Sequence, residues 1–327
     1  MFEIPSVLRA QEVLDKAFKR ASKITAKGAD RPTRTRNLAV ARVRSAGNTI
    51  ESTFRSYVKG FPSIDRLPPF YRELVDILVD RDALKHHLGA VDWAADTVAG
   101  IERESVRRLG RENLKELSGL RAAAFGRFSS IVRQVGKDLD ALVDARIALR
   151  RLPTIDPEVS TIVVAGYPNV GKSAFVRAVS TGRPRVAEYP FTTKGVSVGH
   201  LDRGPRRYQV LDTPGLLDRP MEKRNRIERQ AIAALAHLAD AVVFLLDPTG
   251  TCGYPLDAQT RLLDEVRRTF PDVRIVVVEN KADMPGPTEG HARMSILTGD
   301  GVREVLDTAL ASLPGQRSAA PPPLSGR

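Results

Sequence analysis

Gly166-Tyr167-Pro168-Asn169-Val170-Gly171-Lys172-Ser173, with Ala174 behind it, is the stretch whose reading decides the fold. It follows a short β-branched run, Thr-Ile-Val-Val-Ala at 161–165, and opens a helix-forming segment. Glycines at this spacing let consecutive backbone N–H groups turn inward around phosphate oxygens, on a helix N-terminus that favours anions. In that geometry Lys172 reaches the β- and γ-phosphates of a nucleoside triphosphate, and the Ser173 hydroxyl is placed to bind Mg²⁺. The motif implies a nucleotide and leaves the base open.

Working outward, short apolar strands are expected at 161–165, 196–201, 208–211, 241–246 and 273–278, with helical patterns near 225–239, 256–269 and 302–312. Alternation of this kind argues for an α/β P-loop domain with a doubly wound, mostly parallel sheet. Ahead of it the chain reads as helix after helix. Leu84, Leu88, Val91 and Trp93-Ala94 form one apolar stripe, as do Leu120, Ala124, Phe128, Ile131 and Val132, then Leu139, Leu142, Val143 and Ile147. Breaks fall at Gly60–Pro62, Pro68–Pro69, Gly110 and Pro153. The expected division is an all-α helical bundle over 1–153, the nucleotide domain over 154–313, and a Pro-, Ala- and Ser-rich disordered tail over 314–327.

Two further motifs follow in the required order. Asp212-Thr-Pro-Gly215 comes directly after the strand at 208–211. Asp212 is placed to hold Mg²⁺, directly or through water, and the Gly215 N–H to contact a γ-phosphate. Asn280-Lys281-Ala-Asp283 follows the strand at 273–278. A carboxylate there accepts two hydrogen bonds from the N1–H and N2–H₂ of guanine, whereas adenine would leave it buried and unpaired. Asn280 would brace the loop and Lys281 would cover the base. Met294-Ser295-Ile296-Leu-Thr-Gly299 is the candidate fifth element, with the Ser295 and Ile296 amides facing guanine O6. GTP and GDP are the implied ligands.

Between Lys172 and Asp212 lies Tyr189-Pro-Phe-Thr192-Thr193-Lys-Gly, positioned as a switch in which one threonine hydroxyl binds Mg²⁺ only when the γ-phosphate is present. Thr193 is favoured over Thr192. Lys172, Thr193 and Gly215 are thus the candidate catalytic groups, and Ser173, Thr193 and Asp212 the candidate metal ligands. The residue after Gly215 is Leu216, where many relatives of this chemistry place a water-orienting glutamine; a leucine neither accepts nor donates, so slow intrinsic hydrolysis is expected. Asn169 raises the reading that a potassium ion sits between the phosphates as a replacement positive charge.

The net charge is +12. Residues 1–157 carry 29 Lys and Arg against 20 Asp and Glu, so three quarters of the excess lies outside the nucleotide domain. Nine basic side chains (Lys19, Arg20, Lys23, Lys27, Arg31, Arg34, Arg36, Arg42, Arg44) accompany a single acid, Asp30, between 19 and 44. Such a segment reads as a phosphate-tracking surface for structured RNA or, more blandly, as a solvated helix face. Its few aromatics favour backbone and shape reading over base stacking. His86-His87 has no matching ligand at metal spacing, His237 reads as packed, and Trp93 as core. Cys252, the single cysteine, excludes an intramolecular disulfide and fits a reducing cytosol. With no run of about 18 apolar residues, the expected location is cytoplasmic, the expected state a monomer, and neither membrane nor DNA an expected partner.

With these motifs in place, the chain resembles the Obg-like class of P-loop GTPases, which share the P-N-x-G-K-S loop and the Y-x-F-T-T switch. Within that class it is most similar to the nucleolar GTP-binding protein family, in a short, archaeal-looking form. Leu152-Pro-Thr-Ile-Asp-Pro157, Gly195 to His200, Ala234-Leu-Ala-His-Leu238 and Cys252-Gly-Tyr254 carry the likeness, as do Gly60-Phe-Pro-Ser-Ile-Asp65, Pro69-Phe-Tyr71 and Leu120 to Arg127 in the helical half. The resemblance implies a GTPase switch in large ribosomal subunit assembly, its helical domain against large-subunit ribosomal RNA and the pre-ribosomal particle. An alternative is a structural RNA-binding assembly factor that holds GTP with little turnover. Two departures stand out. The long C-terminal extension of eukaryotic members is expected to be missing, and only ten residues, 284–293, separate Asp283 from the fifth motif, too few for the usual helix.

Overall fold

The computed structural model describes residues 4–153, 155–187, 189 and 195–314. The expectations placed on Thr192 and Thr193, and on the tail from 315, lie outside the described residues. The chain divides into two compact units, Met1–Ile64 with Leu78–Arg150, and Asp65–Ile77 with Arg151–Arg327.

The first unit is helical. It contains α1 (Ala10–Ser22), α2 (Arg31–Gly60), α4 (Arg81–Leu109), α5 (Leu117–Gln134) and α6 (Gly136–Arg150), while α3 (Pro69–Leu78) lies almost wholly in the second unit. Helix α2 starts where the Asp30 carboxylate accepts from Thr33 N, at 2.8 Å, and α4 where Asp80 accepts from Asp82 N and Ala83 N, both at 2.9 Å. Both are long because apolar residues recur along one face without a break. Ala39, Val43, Ala46, Ile50 and Phe54 are buried on α2, and Leu84, Val91, Ala94, Ala95 and Val98 on α4. Phe128 of α5 is buried, and a Cβ at Gly47 would meet it at 3.3 Å. At the surface Arg55 binds both Asp92 and Asp96 of α4. Trp93 is a correction. Its position, two residues past Val91, is about 200° round the helix from that core residue, and the indole is 46% exposed. Ile147 likewise falls off the buried face of α6 and is exposed.

The second unit is the α/β domain, and its sheet is the doubly wound, mostly parallel one that strand–helix alternation implies. In chain order it runs β1 (Thr161–Ala165), α7 (Lys172–Val179), β2 (Arg185–Ala187), β3 (Val196–Arg203), β4 (Arg206–Asp212), α8 (Arg226–Ala236), β5 (Ala241–Leu246), α9 (Leu256–Thr269), β6 (Arg274–Glu279), β7 (Ala292–Arg293) and α10 (Val302–Ala311). The seven strands lie in the order β2-β3-β4-β1-β5-β6-β7. Strands β4, β1, β5, β6 and β7 are parallel neighbours, while β2 and β3 add an antiparallel flank. β1 and β5 are buried along their whole length, as central strands covered on both faces should be. Their carboxyl ends meet at one edge, which delivers Gly166 and Asp247 to the same rim.

Within the span expected to be helical, 1–153, one stretch packs with the second unit. Residues 65–77 cluster with the sheet because α3 is tied to it. The Tyr71 hydroxyl lies 2.9 Å from the Pro153 carbonyl and also bonds Ile155, Glu73 pairs with His237 at 2.7 Å, and Phe70 approaches Tyr189 with ring centroids 6.4 Å apart. His237 is therefore an exposed residue at the C-terminal end of α8, hydrogen-bonded to Glu73, not the packed one the sequence implied.

Replacing Phe128 by Ala should cost the first unit about 3–5 kcal/mol, as truncation of a fully buried aromatic does. The check is urea unfolding followed by circular dichroism, with a lower midpoint for the variant; an unchanged midpoint would contradict the described core.

Candidate functional site

The phosphate loop takes its shape from three backbone positions in the left-handed region: Gly166 (φ 133°), Asn169 (φ 62°) and Gly171 (φ 108°). A Cβ at Gly166 would lie 2.5 Å from the Leu245 carbonyl oxygen, and one at Gly171 would lie 2.4 Å from Asn280 Nδ2, so neither glycine has room for a side chain. Val170 is buried beneath the loop, and Tyr167 is packed against Tyr254 with centroids 4.4 Å apart. Pro168 and Ala174 line the same cleft. Lys172 Nζ donates to the carbonyls of Gly166 and Tyr167, both at 2.8 Å, and so spans the mouth of the loop from the first turn of α7.

At the end of β4, the Ser173 hydroxyl hydrogen-bonds Asp212 Oδ2. Asp212 Oδ1 is buried and, among the described residues, has no hydrogen-bond partner. Burial pushes the Asp212 carboxyl above the usual carboxylate range, against the lowering pull of Ser173 and Lys172. An oxygen-only pair with one orphaned carboxylate oxygen fits a hard divalent cation such as Mg²⁺, which would relieve that buried charge. Thr193, the third expected ligand, lies outside the described residues.

The segment after Asp212 is folded on itself. Gly215 N–H donates to Asp218 Oδ2 at 2.7 Å, and the Gly215 carbonyl accepts from Arg224 Nη1 at 2.7 Å. Leu216 is 0% exposed, its side chain within the core. Sequence reasoning singles out neither Asp218 nor Arg224, since a carboxylate three residues beyond a turn and one arginine among many carry no local signal.

On the base-reading side, Asn280 joins two loops. Its Nδ2 donates to the Val170 carbonyl at 2.8 Å, and its Oδ1 accepts from Ile296 N at 3.2 Å. Lys281, in the left-handed region at φ 64°, donates to Asp247 Oδ2 at 2.6 Å and to Thr251 Oγ1 at 2.7 Å. Burial alone would raise the Asp247 carboxyl, but hydrogen bonds from Lys281, Thr249 and the Cys252 amide hold it below the usual range. Sequence reasoning misses Asp247 as well. Its one signal is position, directly after the buried strand β5. Asp283 Oδ1 accepts from the Ser295 hydroxyl at 2.5 Å, which sets the rotation of the carboxylate.

The amides assigned to guanine O6 are engaged within the protein: Ser295 N donates to the Asp300 carbonyl at 2.9 Å and Ile296 N to Asn280. The short connection after Asp283 is organised without a helix, because buried Glu279 accepts from Thr288 Oγ1, Glu289 N and His291 N. Cys252 is buried, and desolvation raises its thiol, consistent with an unreactive side chain.

In the helical unit, Lys19, Arg20, Lys23, Lys27, Arg31 and Arg34 are exposed around the α1–α2 turn. The other three basic residues of the expected RNA surface have partners within the chain. Arg36 Nη2 donates to the Glu112 carbonyl at 3.0 Å, Arg42 Nη2 to the Ser22 carbonyl at 3.3 Å, and Arg44 pairs with Glu102 at 3.4 Å. Among the described residues no cluster of three or more His, Cys, Asp or Glu could hold a metal, and His87 instead pairs with Asp138 at 2.7 Å. No helix of the described residues is long and apolar enough to cross a membrane.

Comparison with known proteins agrees with this geometry. A sequence model of the NOG1 N-terminal helical domain matches residues 2–156, and one of nucleolar GTP-binding protein 1 matches residues 226–283. Over 291 residues, 88% of this chain, it is 36% identical to nucleolar GTP-binding protein 1 of Saccharomyces cerevisiae. The chain belongs to the nucleolar GTP-binding protein 1 family. The Arabidopsis thaliana member of that family is 35% identical over 315 residues, again 88% of this chain. The chain spans 45% and 47% of the length of these two relatives. A Plasmodium falciparum crystal structure described as nucleolar GTP-binding protein 1 aligns at 35% identity and a TM-score of 0.44, covering 49% of this chain and 89% of that one. A model of ferrous iron transport protein B also matches residues 160–252. The second unit is thus a P-loop GTPase domain of the Obg-like class.

Asn280→Ala should weaken GDP binding about 10- to 100-fold, since it strips a buried carbonyl and an amide of their partners at once. Titration with a fluorescent GDP measures this; affinity equal to wild type would mean that the bridge between the two loops does not shape the site.

Proposed function

We propose that this chain is a guanine-nucleotide switch that binds GTP and GDP with Mg²⁺, hydrolyses GTP slowly, and acts in assembly of the large ribosomal subunit, with its helical unit on ribosomal RNA and the pre-ribosomal particle. The observation that carries the nucleotide reading is the Asn280 bridge. It fixes the phosphate loop, through Val170, in one frame with the loop after β7, whose Ser295 orients Asp283. A carboxylate held there accepts from guanine N1–H and N2–H₂, and a base without those donors leaves it unpaired. Ser173 and Asp212 would hold the Mg²⁺, which when bound neutralises charge on the phosphates. Lys172, whose ammonium already lies across the loop, would exchange its carbonyl partners for β- and γ-phosphate oxygens. Asn169, in its left-handed turn, is the residue we assign to a potassium ion; equal turnover in sodium and potassium would remove that ion from the account.

The RNA reading rests on charge placement. Arg31 and Arg34 stand in the first turns of α2, where the helix macrodipole disfavours cations, so helix stability does not explain them. With Lys19, Arg20, Lys23 and Lys27 they make an exposed basic surface, while Arg36 and Arg42 bond backbone carbonyls and Arg44, though exposed, pairs with Glu102. No membrane or DNA partner enters this proposal, and a cytoplasmic monomer is the form we assign. A second reading, a structural RNA-binding factor with GTP bound and little turnover, is favoured by Leu216, whose burial leaves no side chain after Gly215 to orient water.

Two measurements test the proposal. Wild-type protein should prefer GDP to ADP by about 10⁴-fold, and Asp283→Ala should erase most of that preference, as seen by competition for a fluorescent nucleotide; comparable affinity for the two bases would sink the guanine assignment. Filter binding to large-subunit ribosomal RNA over a salt series should give a steep dependence of affinity on salt. Changing Lys23, Lys27, Arg31 and Arg34 to Glu should flatten that slope by roughly 0.7–0.9 for each RNA phosphate deprived of its cation. No RNA binding with either nucleotide would remove the account of the helical unit. Turnover stimulated by pre-ribosomal particles separates the switch from the structural reading.

A further inference from the structure

We propose that Asp218 is a specificity-determining residue that stands in for the γ-phosphate of GTP at the Gly215 amide and must be displaced before that phosphate can bind there. The inference rests on the guanine-nucleotide reading above and deepens it, by naming what sets the balance between triphosphate and diphosphate.

The Gly215 N–H is the group expected to meet a γ-phosphate oxygen, and it already donates to Asp218 Oδ2 at 2.7 Å. One amide proton makes one strong hydrogen bond, and a carboxylate oxygen and a phosphate oxygen are both anionic acceptors of that kind. The two therefore compete. They also repel each other, since Gly215 and Asp218 line the same cleft of about 1100 Å³ as Lys172 and Ser173. GDP, which ends at the β-phosphate, meets neither effect.

The surrounding backbone offers little other give. Gly166 N donates to the Leu217 carbonyl and Leu216 N to the Thr213 carbonyl, both at 3.0 Å, and the side chains of Leu216 and Leu217 are buried. Exchange thus falls to the Asp218 side chain, and Arg224 is placed to receive it. The Arg224 side chain is 1% exposed, and its Nη2 stands 3.6 Å from Asp218 Oδ1, an ion pair longer than a hydrogen bond. Its two terminal nitrogens donate to the Gly215 and Arg219 carbonyls, but its Nε is buried with no hydrogen-bond partner among the described residues. A guanidinium with an unused buried donor is a ready second partner for a carboxylate released from Gly215. The same guanidinium also holds the Gly215 carbonyl, so Arg224 is already anchored beside the amide whose acceptor changes.

The test is equilibrium titration of the full chain with GDP and with the non-hydrolysable β,γ-imido analogue of GTP, in the presence of Mg²⁺. For Asp218→Ala the analogue should bind about tenfold tighter relative to GDP, the scale of one hydrogen bond to a charged group. Asp218→Asn, which keeps the size and an acceptor but loses the charge, should fall between that variant and wild type. It also guards against a folding defect, since GDP affinity reports on the intact site in each case. Binding of both nucleotides with their ratio unmoved in both variants would overturn the inference and leave the guanine reading standing. Binding of neither nucleotide by wild-type protein would overturn the guanine reading and, with it, the inference.

Discussion

The side-chain amide of Asn280 is the interaction on which the nucleotide unit depends. It is nearly buried, and it spends its donor on the phosphate loop and its acceptor on the loop after β7. Asn280 stands 110 residues from its Val170 partner, and neither loop it joins has regular structure to hold it. The requirement propagates outward. Gly171 must lack a Cβ because Asn280 Nδ2 occupies that space, and Asn280 N must reach the Leu246 carbonyl, at 2.8 Å, so that β6 delivers the residue at the right height. A planar amide with one donor side and one acceptor side suits this position; an aspartate would set a carboxylate oxygen against the Val170 carbonyl.

Around that amide the site is built from buried polar groups, each answered differently. Asp247 is satisfied several times over, by an ammonium, two hydroxyls and two amides, so its charge survives burial. Glu279 is satisfied by the loop it gathers, which is how ten residues do without a helix. Asp212 is left short by one oxygen, and Arg224 by one nitrogen. Among the described residues the Nε atoms of Arg36, Arg42 and Arg72 are short in the same way; what sets Asp212 and Arg224 apart is that both belong to the segment around Gly215 and the Ser173 hydroxyl.

What can be read from the sequence follows from what is local. Glycine spacing after an apolar strand, and Asp or Asn at strand ends, are local, so residues 166–173, 212–215 and 280–283 stand out. The central strands are legible because burial on both faces gives continuous apolar runs. β2 and β7, three and two residues long, are not, because segments that short exist only by pairing with a neighbour. Trp93 misleads because its residue type says core while its phase on α4 says solvent. Asp218 and Arg224 escape notice because a carboxylate three residues past a turn and one arginine among many look ordinary, and Asp247, marked only by its place after β5, takes its role from Lys281, 34 residues on. Among the nine basic residues, charge alone does not single out the three that also tie down carbonyls or a glutamate, one of which, Arg44, is itself exposed.

Helix α3 carries a consequence for how the chain acquires its structure. The polypeptide passes from one compact unit to the other after Ile64, back after Ile77, and across again after Arg150. During synthesis α3 leaves the ribosome well before its partners: Tyr71 waits 82 residues for Pro153, and Glu73 waits 164 for His237. At typical elongation of about 5–20 residues per second, that is a delay of several seconds to tens of seconds. The helix is too short to be stable alone, so it remains an unfinished element with helical protein on either side of it in the chain. The nucleotide unit is therefore not an independent cassette: one of its pieces is encoded inside its neighbour, and its folding closes a loop that the first unit has already begun to fill.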